Sequence, residues 1–158
     1  MQTHNYSDLN QANQELLDVF CAEEKLPEVY QLLAQTYFLP LAAEIVEDHK
    51  ASAHDGPLII GINGSQGSGK STLALLLSRI FSARYNKKVA NLSIDDFYKT
   101  KAERQRSAAD IHPLLLTRGV PGTHDTTLLN DTLQQLCAGE TEVVIPRFDK
   151  STDDRHPE

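Results

Sequence analysis

Apolar residues recur every three or four positions from residue 7 to about residue 52, a spacing that predicts helices throughout that stretch. Leu9, Ala12, Leu16, Val19 and Phe20 define the inward face of a first helix, which Ser7 or Asp8 can cap. Pro27 suits the first turn of a second helix, with Val29, Leu32, Leu33 and Tyr37 on one face. Pro40 breaks that helix and opens a third over residues 41–50, with Ile45 and Val46 inward. Residues 51–56 read as a linker.

The pattern changes at Pro57. Leu58-Ile59-Ile60-Gly61-Ile62 is a short continuous apolar run, the signature of a parallel strand buried on both faces. A glycine-rich loop follows. Residues 70–84 then return to helical spacing, with Leu73, Leu76, Leu77 and Ile80 inward. Residues 88–94 predict a second strand, which completes a strand–loop–helix–strand unit. Thr100-Lys101-Ala102-Glu103 has the form of a capping box and predicts a polar helix over 101–109. Residues 114–125, interrupted by Gly119, Pro121 and Gly122, read mostly as loop. Residues 126–138 predict another helix, with Leu128, Leu129, Leu133 and Leu136 on its apolar side and Gly139 as its stop. A third strand is predicted at 142–145, ended by Pro146. The expected class is α/β: a parallel sheet flanked by helices and preceded by a helical N-terminal segment.

Composition adds limits. The chain has 158 residues, 40% hydrophobic and 23% charged, the balance of a globular domain. Its net charge of −7 argues against a general affinity for nucleic acid or anionic lipid, so an anionic ligand needs a local site. No apolar run approaches the ~20 residues that span a bilayer. The first residues lack the basic and apolar regions of a secretory signal. Cys21 and Cys137 are far apart and have no metal-ligand spacing, which suits thiols in a reducing compartment. The expected address is the cytoplasm.

Gly64-Ser65-Gln66-Gly67-Ser68-Gly69-Lys70-Ser71 matches the phosphate-binding pattern G-x-x-x-x-G-K-[ST] in full, with Thr72 completing the contact segment. Glycines let the backbone turn successive N–H groups onto phosphate oxygens, and the following helix adds the positive end of its dipole. Lys70 can reach the outer phosphates of ATP, and the Ser71 hydroxyl can ligate Mg²⁺. The alternative is a Gly/Ser-rich loop that happens to carry a lysine. The apolar run before it and the amphipathic helix after it favour the phosphate loop. The motif does not separate kinases from GTPases or ATPases, but neither a GTPase base-reading motif nor an apolar run ending in Asp-Glu is present.

Ser93-Ile94-Asp95-Asp96-Phe97-Tyr98 places two acids at the carboxyl end of the second predicted strand, where open parallel sheets bind ligands. Asp95 can accept a proton from a substrate hydroxyl or hold Mg²⁺. Equally, either acid can simply cap the following turn.

Taken with the phosphate loop, the blocks Ser-Ile-Asp-Asp-Phe-Tyr, Arg118-Gly-Val-Pro-Gly-Thr-His-Asp125 and Pro146-Arg-Phe-Asp-Lys-Ser151 resemble the D-glycerate 3-kinase branch of the P-loop kinases. That branch is related to uridine kinase, phosphoribulokinase and the P-loop pantothenate kinases. The resemblance runs from about residue 58 to 157 and implies an ATP- and Mg²⁺-dependent kinase for a hydroxyl of a small metabolite, with D-glycerate the favoured acceptor. It puts Lys70 and Asp95 in catalysis, and Ser71 and Asp95 at the metal. Tyr98, Arg118, His124, Asp125, Arg147 and Asp149 would line the acceptor site with Asp95, and Lys150 and Arg155 are lesser candidates. An acceptor carboxylate would need Arg118 or Arg147. Structural readings stand beside these: His124 as a loop histidine, Asp125 as a helix cap, Arg118 paired with an acid and Phe148 in the core.

The resemblance also implies a longer chain. Family members continue to a further acid-ended strand and a basic lid, so this chain is expected to be truncated at its C-terminus, with an incomplete sheet. The expected division is a helical segment over 1–55, packing on the N-terminal part of a kinase core over 56–158. Rival readings are a nucleotide-binding protein without catalysis, and a kinase for a nucleoside or pantothenate-like acceptor.

Overall fold

The computed structural model describes residues 6–52 and 56–156, with side chains described from residue 11 onward. The chain divides into two compact units at Asn91/Leu92.

The first unit is helical. Helix α1 (Tyr6–Glu23) already runs at Tyr6, so Ser7 and Asp8 lie inside its first turn instead of capping it. Its buried face is Leu17, Phe20 and Cys21, with Leu16 packed beside them; Val19 and Ala12 face outward. The predicted stripe was therefore displaced by about one residue, and the Leu9 side chain falls outside the described residues.

Helix α2 (Glu28–Leu33) begins after Pro27 and runs through a π-helical turn, Ala34–Phe38, into α3 (Leu39–Ala51). Pro40 opens the third helix as expected, but the helical path runs into it without a break. The wide turn closes with the Leu39 N–H on the Ala34 carbonyl just before the proline, which then occupies the second position of α3. The buried face lies one position on from the predicted stripe, already within α2. Ala34 is buried and Tyr30 and Phe38 pack on the core, whereas Val29, Leu32, Leu33 and Tyr37 are exposed, against expectation. Ala42 and Val46 of α3 are buried as its spacing predicts.

Helix α4 (Lys70–Tyr85) supplies the other side of this core through Leu76, Leu77, Ile80 and Phe81. It ends at Asn86, which takes the left-handed conformation that asparagine tolerates, while the Lys87 N–H returns to the Phe81 carbonyl. Arg79 pairs with Glu23 at 2.6 Å and lies over the Phe20 ring, so the helix after the glycine loop is tied to α1 by packing and charge.

Among the described residues, the three expected parallel strands form no ladder. Residues 58–62, 88–94 and 142–145 carry no strand pairing, and Leu58, Ile59 and Ile60 are exposed. Two or three isolated strands cannot cover both faces of so apolar a run, and parallel pairing is the less stable kind per residue. The ladder that does form is antiparallel: β1 (Phe148–Asp149) with β2 (Asp154–Arg155).

The second unit opens with a short 3-10 turn, Ile94–Phe97, capped by the Ser93 hydroxyl accepting from the Asp95 N–H. Helix α5 (Lys101–Asp110) carries the complete capping box between Thr100 and Glu103. A 3-10 turn at Pro113–Leu116 lies in the expected loop. Helix α6 (Thr126–Cys137) starts on the Asp125 carboxylate, which accepts from the Leu128 N–H at 3.0 Å. Gly139 follows with φ 74°, the left-handed stop its position predicts.

Candidate active site

In the first unit the glycine loop leads directly into α4. Gly67 (φ 75°) and Gly69 (φ 83°) both occupy the left-handed region, which a side chain would strain. Gly64 has a different constraint: a Cβ there would come within 2.8 Å of the Ser68 hydroxyl. The Ser68 N–H reaches the Ser65 carbonyl at 3.3 Å, which closes the loop around Gln66.

Lys70 folds back over this loop, its Nζ 2.8 Å from the Gly64 carbonyl and 2.7 Å from that of Ser65. These neutral carbonyls hold the ammonium above the loop without cancelling its charge. An incoming phosphate oxygen is a stronger acceptor for the same proton donor. Ser71 and Thr72 occupy the first turn of α4, with Ser71 exposed. A serine hydroxyl beside a phosphate site suits Mg²⁺, which takes few protein oxygens and completes its shell with phosphate and water. Among the described residues no group of three or more His, Cys, Asp or Glu side chains forms a metal cage, and such a mode of binding needs none.

In the second unit the two consecutive acids have different neighbours. Asp95 pairs with Lys150 at 2.7 Å and is more than a third exposed. Asp96 is nearly covered; it pairs with Arg147 at 2.8 Å and accepts from the Phe148 N–H at 3.2 Å. Asp96 is thus the acid that fastens the 147–148 segment to the 3-10 turn, and Asp95 is the acid left at the surface.

Tyr98 follows. Its ring stacks on the His124 imidazole at 4.2 Å and meets the Phe148 ring edge-on at 5.3 Å. Backbone bonds from the Lys99 N–H to the Thr123 carbonyl, and from the Asp125 N–H to the Phe97 carbonyl, hold these segments side by side. Burial pushes the Tyr98 phenol up; the Asp95 charge adds to that push and the Arg118 charge opposes it. Arg118 lies over the Phe148 ring at 5.2 Å and pairs with Asp153 at 3.0 Å.

The structural readings account for several of the expected site residues. Phe148 is buried, Asp125 caps α6, and Arg155 bridges Asp125 and Glu103 at 3.5 and 3.0 Å. Asp149 accepts from both the hydroxyl and the N–H of Ser151, which hold its carboxyl down at about 2. Asp95, Asp96, Tyr98, Arg118, His124 and Arg147 nonetheless gather around Phe148, directly or through one neighbour.

Two members of this cluster, Arg104 and its partner Asp153, are not anticipated by the sequence. Arg104, on the polar helix α5, is 1% exposed and donates to the carbonyls of Lys99, Leu116 and Asp153 and to the Asp153 carboxylate. No local pattern marks it, because α5 is polar throughout and a buried arginine there reads like its exposed neighbours.

A glycine loop of this form opening a helix is the phosphate-binding arrangement of the P-loop fold class. The Phosphoribulokinase / Uridine kinase family profile matches residues 59–158, and the chain belongs to that family. Among curated proteins it is 48% identical over 98 residues to the uncharacterized kinase mug58 of Schizosaccharomyces pombe, covering 60% of this chain and 35% of that one. It is 36% identical over 128 residues to the chloroplastic D-glycerate 3-kinase of Arabidopsis thaliana, covering 73% and 28% respectively. Among solved structures, the YGR205w protein superposes with a TM-score of 0.68 at 32% identity, over 77% of this chain and 46% of that one. D-glycerate 3-kinase from Cryptococcus neoformans gives 0.65 at 30% identity, over 80% and 47%. These likenesses make the fold that of the α/β P-loop kinases, although the parallel ladder is not formed. The chain spans about a third of the length of the curated relatives it matches and under half of the solved structures.

Proposed function

We propose that this chain carries the phosphate-binding loop and the acceptor-binding cluster of an ATP- and Mg²⁺-dependent kinase that phosphorylates a hydroxyl of a small metabolite, D-glycerate being the favoured acceptor. The observation that carries this reading is the Lys70 ammonium held over a glycine loop that opens α4, in a chain of this family. The loop amides and Lys70 neutralise the phosphates, Ser71 supplies an oxygen to Mg²⁺, and Asp95 accepts the hydroxyl proton. Bound Mg²⁺ contributes charge neutralisation on the transferring group; the rest is positioning and electrostatics. Tyr98, His124, Arg118 and Arg147 border the acceptor, while Asp125 and Asp149 shape the segments that carry them. The 1–55 helical segment supports the kinase core that begins at residue 56, and the free thiols at Cys21 and Cys137 favour a cytoplasmic setting.

The experiment is ADP release coupled to a spectrophotometric readout, with D-glycerate, uridine, pantothenate or no acceptor. Glycerate-dependent release supports the reading. Nucleotide binding with no acceptor-dependent release from any of the three supports a nucleotide-binding protein without catalysis instead.

A further inference from the structure

The second unit holds a cavity of about 440 Å³ that shares no residue with the cluster about Phe148. It opens where the end of α5 meets the 3-10 turn at Pro113–Leu116 and the loop before Thr123. Two neighbours in sequence are divided between these places. Tyr98 has extended backbone, so its side chain and that of Lys99 point to opposite sides. The Tyr98 ring joins His124 and Phe148, whereas Lys99 lines the cavity. The volume lies in the range of small-molecule sites.

The lining has an apolar wall and a polar edge. Ile111, Leu114, Leu115, Val120 and Pro121 form the wall, and Ile111 and Leu114 are 75% and 60% exposed. Large apolar side chains grouped at an opening, as opposed to scattered singly, mark a binding surface. The loop fits closely behind this wall: Gly122 has φ 94°, and a Cβ there would lie 3.4 Å from Leu115 Cδ2. The polar edge is positive. Lys99 Nζ rests on the Gly122 carbonyl at 2.9 Å, a neutral partner that leaves its charge uncancelled. His112 Nδ1 accepts from the Leu114 N–H at 3.2 Å, so the neutral ring carries its proton on Nε2 and has a donor to offer. Among the described residues no carboxylate lines the cavity. A cation would be repelled by Lys99, and a neutral ligand would leave the ammonium without a charged partner. An anion with an apolar body suits both the wall and the edge. A small hydroxy acid has no such body.

We propose that this cavity is a binding site for a small amphipathic anion of the short aliphatic carboxylate class, with Lys99 as its charge partner, His112 Nε2 as a second donor and the apolar wall along its chain. The site shares no residue with those assigned to the acceptor. It therefore stands apart from the kinase reading, and binding is measured without nucleotide or turnover.

The test titrates the full 158-residue chain with hexanoate, hexanol, hexylammonium and acetate, followed by ¹H–¹⁵N NMR. Hexanoate should shift the amides of residues 107–122 and bind roughly three- to fivefold more tightly than hexanol, the scale of a partly exposed ion pair. Hexylammonium, with the wrong charge, and acetate, with no apolar body, should bind more weakly than either. Lys99→Met should equalise hexanoate and hexanol while leaving hexanol affinity nearly unchanged. Should that variant misfold, Lys99→Gln keeps a donor for the Gly122 carbonyl and gives the same reading. His112→Asp keeps an acceptor for the Leu114 N–H but removes the donor and adds a like charge, so it should place hexanoate below hexanol. Leu114→Asp, at an exposed position of the wall, should weaken both. Equal affinity for hexanoate and hexanol in wild type, or a preference that survives the Lys99 variants, overturns the anion assignment. Shifts centred on Phe148 or on the glycine loop overturn the location. Binding of none of the four overturns the site, and loss of self-association in Leu114→Asp would then make this face a contact between copies of the chain.

Discussion

Lys150 Nζ lies 2.7 Å from Asp95 Oδ2, and both side chains are more than a third exposed. An exposed pair of this kind is worth ~0–1 kcal/mol, so a substrate hydroxyl can displace the lysine at little cost. Asp96, next in sequence, has a side chain 13% exposed and binds both Arg147 and a backbone N–H. The two acids should therefore separate by experiment. Asp95→Asn should change stability by less than ~1 kcal/mol, yet lower kcat by roughly 10²–10⁴-fold in a preparation that turns over. Asp96→Ala should cost about 1–3 kcal/mol of stability, because a buried N–H and a guanidinium lose their acceptor. Denaturant melts and initial rates on both variants check this. A reversed pattern would move the base to Asp96.

Lys70 should matter to phosphate and not to the nucleoside. Its ammonium rests on two neutral carbonyls, at 2.8 and 2.7 Å, and gains a charged partner only when phosphate arrives. Lys70→Ala should weaken Mg²⁺–ATP binding by about 1.5–3 kcal/mol while leaving adenosine binding nearly unchanged. Calorimetric titration with both ligands decides it, and equal losses would count against the assignment.

How much of this was legible beforehand differs by element. The phosphate loop, the Thr100–Glu103 capping box and the Gly139 stop rest on local chemistry, where residue type fixes backbone geometry, and all three formed as read. The buried face of residues 27–40 runs through Tyr30, Ala34 and Phe38, one position on from the predicted stripe, because apolar residues stand on both sides of this segment and spacing alone does not choose between them. The strands at 58–62 and 88–94 were read from apolar content, but a ladder depends on partners far away in sequence, which local pattern does not supply. Of the residues gathered about Phe148, the motifs point to Asp95, Tyr98, Arg118 and His124. They do not mark Arg104 and Asp153, whose importance comes from contacts across 49 residues of sequence.

Acid should loosen the second unit through identifiable carboxylates. Hydrogen bonds from Ser151 hold Asp149 at about 2, against an ordinary value of 3.8. Glu103 is lowered by its bond with Thr100, and Asp154 by the N–H of Lys101. Each of these folded-state values lies below the unfolded one. Their stabilisation is therefore fully present above about pH 5 and is lost as pH falls from there toward 2. Ser151→Ala removes one of the bonds to Asp149, so the variant should be less stable than wild type at pH 7 and converge with it near pH 2. Urea melts between pH 2 and 7, followed by circular dichroism, test this. A stability gap that stays constant down to pH 2 would show that the Asp149–Ser151 bond is not the source.

The exposed apolar run at Leu58, Ile59 and Ile60 sets the last expectation, which concerns association of the isolated chain. These side chains are 48%, 66% and 42% exposed, and the segment has no ladder partner among the described residues. A contiguous apolar segment with unpaired backbone groups is a template for pairing with another strand, and burying it removes about 25 cal/mol for each Å² taken from water. No charged residue interrupts the run; the nearest acid before it is Asp55 and the nearest cation after it is Lys70. The 158-residue chain should accordingly self-associate as its concentration rises and bind the dye ANS. Ile59→Lys, which places a charge in the middle of the run, should shift the chain toward monomer while leaving the α1–α4 core intact. Light scattering behind a sizing column, over a hundredfold range of concentration, gives the answer. A wild-type chain that stays monomeric and ANS-silent would overturn it, because the run would then have to be covered within the chain.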